Sequence, residues 1–207
     1  MIWFLLVAIV SYLIGSVPSG YIAGRIAGID IRTAGSGNIG ATNVTRTLGK
    51  SYGYPVFIAD FGKGILAVFV ATSIARSENL SVALLDVVAA VCCVLGNAFP
   101  IWLGFRGGKG VAVSAGLLFA LMPLAAVIVI LVWLLLFYST RYVSLASILA
   151  ALSLPVTVFL LLRFNQMSEW TFLYVSIALT AFVVFRHRSN IARLLQGTEQ
   201  RFSRSGE

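Results

Sequence analysis

Residues 111–140 form a run of thirty residues without a single charged side chain. As one straight helix it would reach about 45 Å at 1.5 Å per residue, half as long again as the roughly 30 Å hydrocarbon core of a bilayer. Met122-Pro123 stands near its middle, and proline breaks helices. A soluble domain has no place for such a segment. The whole chain agrees: of 207 residues, 59% are hydrophobic and 11% charged, against about 45–50% and about 25% in ordinary soluble domains. That composition excludes a soluble globular enzyme. It excludes a disordered chain too, which needs low hydrophobicity. The net charge of +8 fits nucleic-acid binding in sign, but nucleic-acid binding does not call for this much Leu, Val, Ile and Phe. An integral membrane protein with basic loops accounts for both.

Further apolar runs occupy about 1–23, 51–75, 82–104, 142–162 and 169–185, each near the roughly 20 residues one crossing needs. The charges set the count. Arg25, Arg32, Arg46 and Lys50 follow the first run, Arg106 and Lys109 the third, and Arg186, Arg188, Arg193, Arg201 and Arg204 the last. Basic loops favour the cytoplasm. If 111–140 crosses twice, breaking near Pro123, every basic cluster falls on the cytoplasmic side, and only Arg76 and Arg163 lie outside, near Glu78 and Glu169. The expected fold is therefore all-α: seven transmembrane helices, two of them short within 111–140, with a periplasmic N-terminus and a cytoplasmic C-terminus. A partly re-entrant course is compatible with the two short helices. Residues 1–207 are expected to form a single membrane-embedded domain, without linker or convincing internal repeat. The first run lacks both a basic flank before it and a small-residue cleavage site after it, so a retained helix is expected rather than a cleaved signal peptide. Cys92 and Cys93 are adjacent in an apolar run, without metal spacing, and read as small buried hydrophobes. His187 is the sole histidine, which excludes a multi-histidine metal site.

Chemistry is expected in the polar segments between the runs. In Gly35-Ser-Gly-Asn-Ile-Gly-Ala-Thr-Asn-Val-Thr-Arg46, glycines such as Gly37 let backbone N–H groups converge on an anion. Ser36, Asn38, Thr42 and Asn43 supply hydrogen bonds there, and Arg46 offers a fork of donors to phosphate. A helix is expected to start near Ala41, its N-terminus favourable to an anion. A capped flexible loop is the plain alternative, but length and composition exceed what a cap needs. The same stretch matches G-x-G-x-x-G, with Asp60 twenty residues beyond Gly40. A membrane span precedes it rather than a strand, so the dinucleotide reading fails. In Gly104-Phe-Arg-Gly-Gly-Lys-Gly-Val111, Gly107, Gly108 and Gly110 bracket Lys109. Positive-inside anchoring explains Arg106 and Lys109 but not the glycines, which point to close approach of a ligand. The phosphate-loop motif is excluded, because Gly110 stands where Ser or Thr is required. Ser144 and Ser147 share a helical face, as serines in close-packed membrane helices also do. His187 and Asn190 share another, in an arginine-rich segment that also suits an interfacial helix on anionic lipid. Asp60 and Lys63 are either a self-neutralising i, i+3 pair or support for the site, since ionisable groups at membrane depth are functional candidates.

Taken together, S-G-N-I-G-A-T-N-V-T-R (36–46), G-N-A-F-P-I-W-L-G-F-R-G-G-K-G-V-A (96–112), R-Y-V-S-L-A-S-I (141–148) and R-H-R-S-N-I-A-R-L-L-Q-G-T-E (186–199) resemble the bacterial membrane glycerol-3-phosphate acyltransferases that use acyl phosphate. The resemblance runs in order along nearly the whole chain. It implies seven helices in the inner membrane with a cytoplasm-facing site, and transfer of a fatty acyl group from acyl phosphate to the 1-hydroxyl of sn-glycerol 3-phosphate. The products are lysophosphatidic acid and phosphate, at the first step of phospholipid biosynthesis. It implies no cofactor, metal or nucleic acid, and a monomer working with an acyl-phosphate-producing enzyme. By motif, Ser36, Arg46, Lys109 and Ser147 would surround phosphate groups, and His187 and Asn190 would bind or orient the glycerol substrate. Gly37, Asn38, Thr42, Asn43, Lys63, Gly107, Gly108 and Ser144 would support binding. The chain departs from the family at Asn97, where the family usually has histidine, and a structural role is expected there. The H-x-x-x-x-D motif of other glycerolipid acyltransferases is absent, since Ala192 stands at its Asp position. A transporter of a phosphorylated metabolite is the competing class, but it needs polar groups reachable from both sides and often shows inverted repeats. A CDP-alcohol phosphotransferase would need clustered carboxylates for metal, and the seven acidic residues are scattered.

Overall fold

The structure is a computed structural model that describes residues 1–202; Arg204 of the basic C-terminal cluster lies outside the described residues. Among the described residues there is no strand. The helices gather into two compact units, one spanning Met1–Leu121 and the other starting at Met122.

The first unit holds α1 (Ile2–Ser16), α2 (Ser19–Ile26), α3 (Ala41–Leu48), α4 (Lys50–Ser77), α5 (Val82–Ala98) and α6 (Val111–Leu121). Against expectation, the first apolar run is not one helix. It stops at Ser16 and resumes at Ser19 around Val17-Pro18, because proline cannot donate to the preceding turn. α1 packs on α5, and α4 on α6. Each contact uses a glycine from both helices. A Cβ at Gly15 would fall 2.0 Å from the Cys93 carbonyl oxygen, and one at Gly96 2.1 Å from that of Tyr12. Likewise Gly64 meets the Val113 carbonyl at 2.4 Å, and Gly116 that of Phe61 at 1.9 Å. Lipid tails are as apolar as leucine, so membrane helices associate by this kind of close backbone packing. Cys93 is fully buried in the α1–α5 contact, as expected, whereas Cys92 is only half-buried.

The second unit holds α7 (Pro123–Thr140), α8 (Val143–Arg163), α9 (Thr171–Arg186) and α10 (Arg188–Leu195). α7 and α8 form a hairpin that turns at Arg141, held at φ 64°. α9 joins α8 through Thr180, whose hydroxyl donates to the Ala151 carbonyl at 2.6 Å.

The thirty-residue run breaks at the expected place. α6 ends at Leu121, Met122 leaves helical geometry (φ −142°, ψ 67°), and Pro123 opens α7, where its missing N–H costs no bond. The expectation of two short helices is corrected on one side. α6 has 11 residues, but α7 has 18 and is long enough to cross. Among the described residues, five stretches are long and apolar enough to span a membrane: Ile2–Ile26, Lys50–Ser77, Val82–Leu103, Pro123–Thr140 and Val143–Arg163. Val111–Leu121 and Thr171–Arg186 are shorter apolar helices.

Candidate active site

The glycine-rich segment 35–46 rests on a small apolar core of Ala23, Ile31, Ile39, Val44, Val56 and Leu103. The exposed loop below it is pinned by Asp30, whose carboxylate takes both the backbone N–H of Arg32 and its guanidinium fork at 2.6–3.1 Å. The hydrogen bonds from Arg32 lower the Asp30 carboxyl to about 2. α3 starts at Ala41, as expected. Asn43 is buried, and it is the buckle of the segment. Its Nδ2 donates to the carbonyls of Asn38 at 2.8 Å, Ala34 at 3.0 Å and Ile31 at 3.3 Å, and its Oδ1 accepts from the Ser36 N–H at 2.8 Å. An amide side chain has two N–H donors and one carbonyl, so Asn43 spends its capacity inside the protein. Gly35 has φ 58°, and any Cβ there would sit 2.3 Å from Asn43 Oδ1. Asn38 likewise turns inward, its Oδ1 accepting from the Gly40 N–H at 2.8 Å. What the buckle presents is Ser36 and Gly37, both exposed, with Thr42 and Arg46 half-buried along α3.

The lysine segment is laid on the end of α5. Gly107 N–H donates to the Ala98 carbonyl and Gly108 N–H to the Asn97 carbonyl, both at 3.0 Å. A Cβ at Gly107 would lie 2.2 Å from the Asn97 carbonyl oxygen, and one at Gly108 3.0 Å from Asn97 Oδ1. Gly107 and Gly108 therefore permit close approach to α5 itself. Asn97 is 7% exposed and forms the bed beneath them. Lys109 follows, half-buried, two residues before α6.

Lys63 belongs to neither segment. It sits buried in α4, 2.6 Å from the Asp60 carboxylate, and its ammonium also donates to the Val17 carbonyl at the α1–α2 break.

In the second unit Ser144 and Ser147 are both buried on the first turns of α8. Ser147 Oγ accepts from Trp133 Nε1 of α7 at 3.1 Å. His187 and Asn190 are both buried but do not share one helix. His187 caps α9 at the break before α10, and Asn190 lies in the first turn of α10. His187 Nδ1 is 2.8 Å from the Val183 carbonyl. A carbonyl only accepts, so Nδ1 carries a proton, and this bond fixes the orientation of the ring.

A residue that the sequence reading passed over joins these groups. Glu199, buried beyond α10, accepts from Ser144 Oγ at 2.6 Å and Asn190 Nδ2 at 2.7 Å through Oε1, and from Arg193 Nε at 2.8 Å through Oε2. A signal existed: Glu199 is the only acidic residue between 170 and 206, within an arginine-rich tail. Burial raises the Glu199 carboxyl, but the hydrogen bonds from Ser144, Asn190 and Arg193 outweigh it and hold the group below the ordinary carboxylate range. A folded-state value below the unfolded one stabilises at pH values above the unfolded value, about 4.3. That contribution is lost as pH falls through the folded value. The thermal midpoint of the wild type is thus expected to drop between pH 5 and pH 3, and that of Glu199→Gln to be lower at pH 7 but flatter across the same range. Parallel profiles would deny Glu199 this role.

Among the described residues, no three His, Cys, Asp or Glu side chains gather as metal ligands.

The family model described as glycerol-3-phosphate acyltransferase matches residues 5–197. A glycerol-3-phosphate acyltransferase of Clostridioides difficile (strain 630) is 42% identical over 205 residues, 99% of this chain and 98% of the relative. One of Desulforamulus reducens is 47% identical over 195 residues, 94% of this chain and 92% of the relative. The crystal structure of PlsY (YgiH), an integral membrane glycerol 3-phosphate acyltransferase, in its glycerol 3-phosphate form superposes with a TM-score of 0.84 at 42% identity, covering 97% of this chain and 96% of that one. Its lysophosphatidic acid form gives 0.84 at 41% identity, covering 97% and 95%.

Proposed function

This chain belongs to the glycerol-3-phosphate acyltransferase family, and from that premise we propose that it moves a fatty acyl group from acyl phosphate to the 1-hydroxyl of sn-glycerol 3-phosphate, releasing phosphate and lysophosphatidic acid. It is a multi-pass membrane acyltransferase. The observation that carries the reading is the near-complete correspondence with an integral membrane glycerol 3-phosphate acyltransferase, 97% of the chain at 42% identity.

Acyl phosphate is a mixed anhydride. The 1-hydroxyl oxygen attacks the acyl carbon, the bond from that carbon to the phosphate oxygen breaks, and the electron pair leaves with phosphate. Arg46 and Lys109 stabilise the charge that grows on the leaving group. Ser36, Gly37 and Thr42 present donors beside Arg46, and Ser147 offers its hydroxyl to phosphate. Holding both substrates together supplies much of the remaining acceleration. His187 and Asn190 orient the glycerol moiety, and either His187 or a phosphate oxygen of the substrate takes the hydroxyl proton. Asn38, Asn43, Gly107, Gly108 and Ser144 serve by shaping the segments that carry these groups.

In the same reading the chain is one seven-span domain of the bacterial inner membrane, with its N-terminus outside and its site facing the cytoplasm. It acts as a monomer fed by an acyl-phosphate-producing enzyme. The basic loops after α2, α5 and α9 support that orientation. A reporter fused after Glu207 is expected to be cytoplasmic; a periplasmic signal would reverse the topology.

The direct test supplies palmitoyl phosphate and sn-glycerol 3-phosphate to purified protein and follows both products. Stoichiometric phosphate and lysophosphatidic acid are expected. Phosphate alone would mark a hydrolase, and glycerol 3-phosphate uptake into proteoliposomes without either product would mark a transporter. His187→Ala is expected to raise KM for glycerol 3-phosphate more than it lowers kcat. Abolished kcat at unchanged KM would make His187 the essential base.

A further inference from the structure

Between the end of α5 and the lysine segment the chain makes an eight-residue excursion, Phe99–Arg106, that no step above uses. The bonds from Gly107 N–H to Ala98 and from Gly108 N–H to Asn97 close its neck. Eight residues that leave and return carry the tip no more than about 14 Å from that neck. The tip is therefore held near Lys109, the second residue past Gly107.

The tip shows apolar surface outward. Ile101 is 50% exposed, Trp102 63% and Phe105 58%, whereas Leu103 turns into the core beneath segment 35–46. Phe105 also has φ 62°, directly after Gly104 at 59°. Two successive left-handed residues are unusual, and for a bulky aromatic the conformation is costly. The loop is fastened in this shape to α1. Trp102 Nε1 donates to Ser16 Oγ at 3.0 Å, and the Tyr12 hydroxyl donates to the Phe99 carbonyl at 2.8 Å. An indole with its N–H bonded and its ring bare is posed as at a membrane–water interface.

We propose that Ile101, Trp102 and Phe105 form an apolar lip that receives the first methylenes of the acyl donor's chain. The proposal rests on the acyl-transfer reading above. A lipid donor has an anionic head, which needs a cation, and a tail, which needs apolar cover; residues 101–109 offer both on one short segment of chain. The strained, outward loop shape keeps the two at a constant separation.

The test compares palmitoyl phosphate with the water-soluble acetyl phosphate, which lacks those methylenes, as donors at saturating glycerol 3-phosphate, in the wild type and in Ile101→Ser/Phe105→Gly. Glycine suits φ 62°, so the double variant relieves strain while stripping apolar surface, and its thermal midpoint is not expected to fall below wild type. Two methylenes withdrawn from apolar contact change affinity by about tenfold. The ratio of kcat/KM for palmitoyl over acetyl phosphate is thus expected to fall tenfold or more, through KM for palmitoyl phosphate. An unchanged ratio in an enzyme active on both donors would overturn the lip while leaving acyl transfer intact. A wild type inactive on both donors would overturn acyl transfer, and the lip with it.

Discussion

Lys109→Ala is expected to lower kcat/KM by about 10²–10³-fold, the usual loss when one preorganised charge or donor is removed from a developing anion. Lys109 leads directly into α6, and the glycines before it are seated on Asn97 and Ala98 by two backbone bonds. Its backbone is therefore carried on a helix end rather than on a loose loop, and preorganisation of this kind makes a cation effective. Lys109→Arg keeps the charge but changes a compact ammonium into a planar fork, and should recover only part of the loss. Full activity in a folded Lys109→Ala enzyme would remove this residue from the phosphate site.

Lys63→Met is expected to act on stability instead, at a cost of about 3–5 kcal/mol. The change leaves the Asp60 carboxylate buried at 7% exposure without its partner at 2.6 Å. It also strips the Val17 carbonyl of its donor at the proline break. An unpaired charge in that setting is far more costly than an absent pair, so Asp60→Leu/Lys63→Met should recover most of the loss. Thermal midpoints in one detergent, for both singles and the double, complete the cycle. A wild-type midpoint for Lys63→Met together with a raised KM for glycerol 3-phosphate would instead return Lys63 to the substrate site.

Several features were legible because their causes are local. Pro123 ends one helix and opens the next within a single turn of chain. Ala41 begins α3 directly after a glycine-rich stretch. The break at Val17-Pro18 has the same cause as that at Pro123, yet it hides within a run whose hydropathy is continuous. Other residues were misjudged because their partners lie elsewhere. Asn43 reads as a ligand donor, but four backbone groups of residues 31–38 occupy its amide. Gly107 looked like room for a ligand, and the room is taken by the end of α5. Glu199 has its partner Ser144 fifty-five residues away, beyond the reach of any local pattern.

The sequence by itself determined the membrane class, the all-helical fold, the helix break at Pro123 and the segments that carry the cations. Hydropathy, proline and glycine act over a few neighbouring residues, and their effects are additive along the chain. Only the tertiary structure decided which polar side chains face inward as buckles and which remain for a ligand. A hydrogen bond needs both partners within about 3 Å, and chain packing alone brings Glu199 to Ser144, Lys63 to Val17, and Trp102 to Ser16.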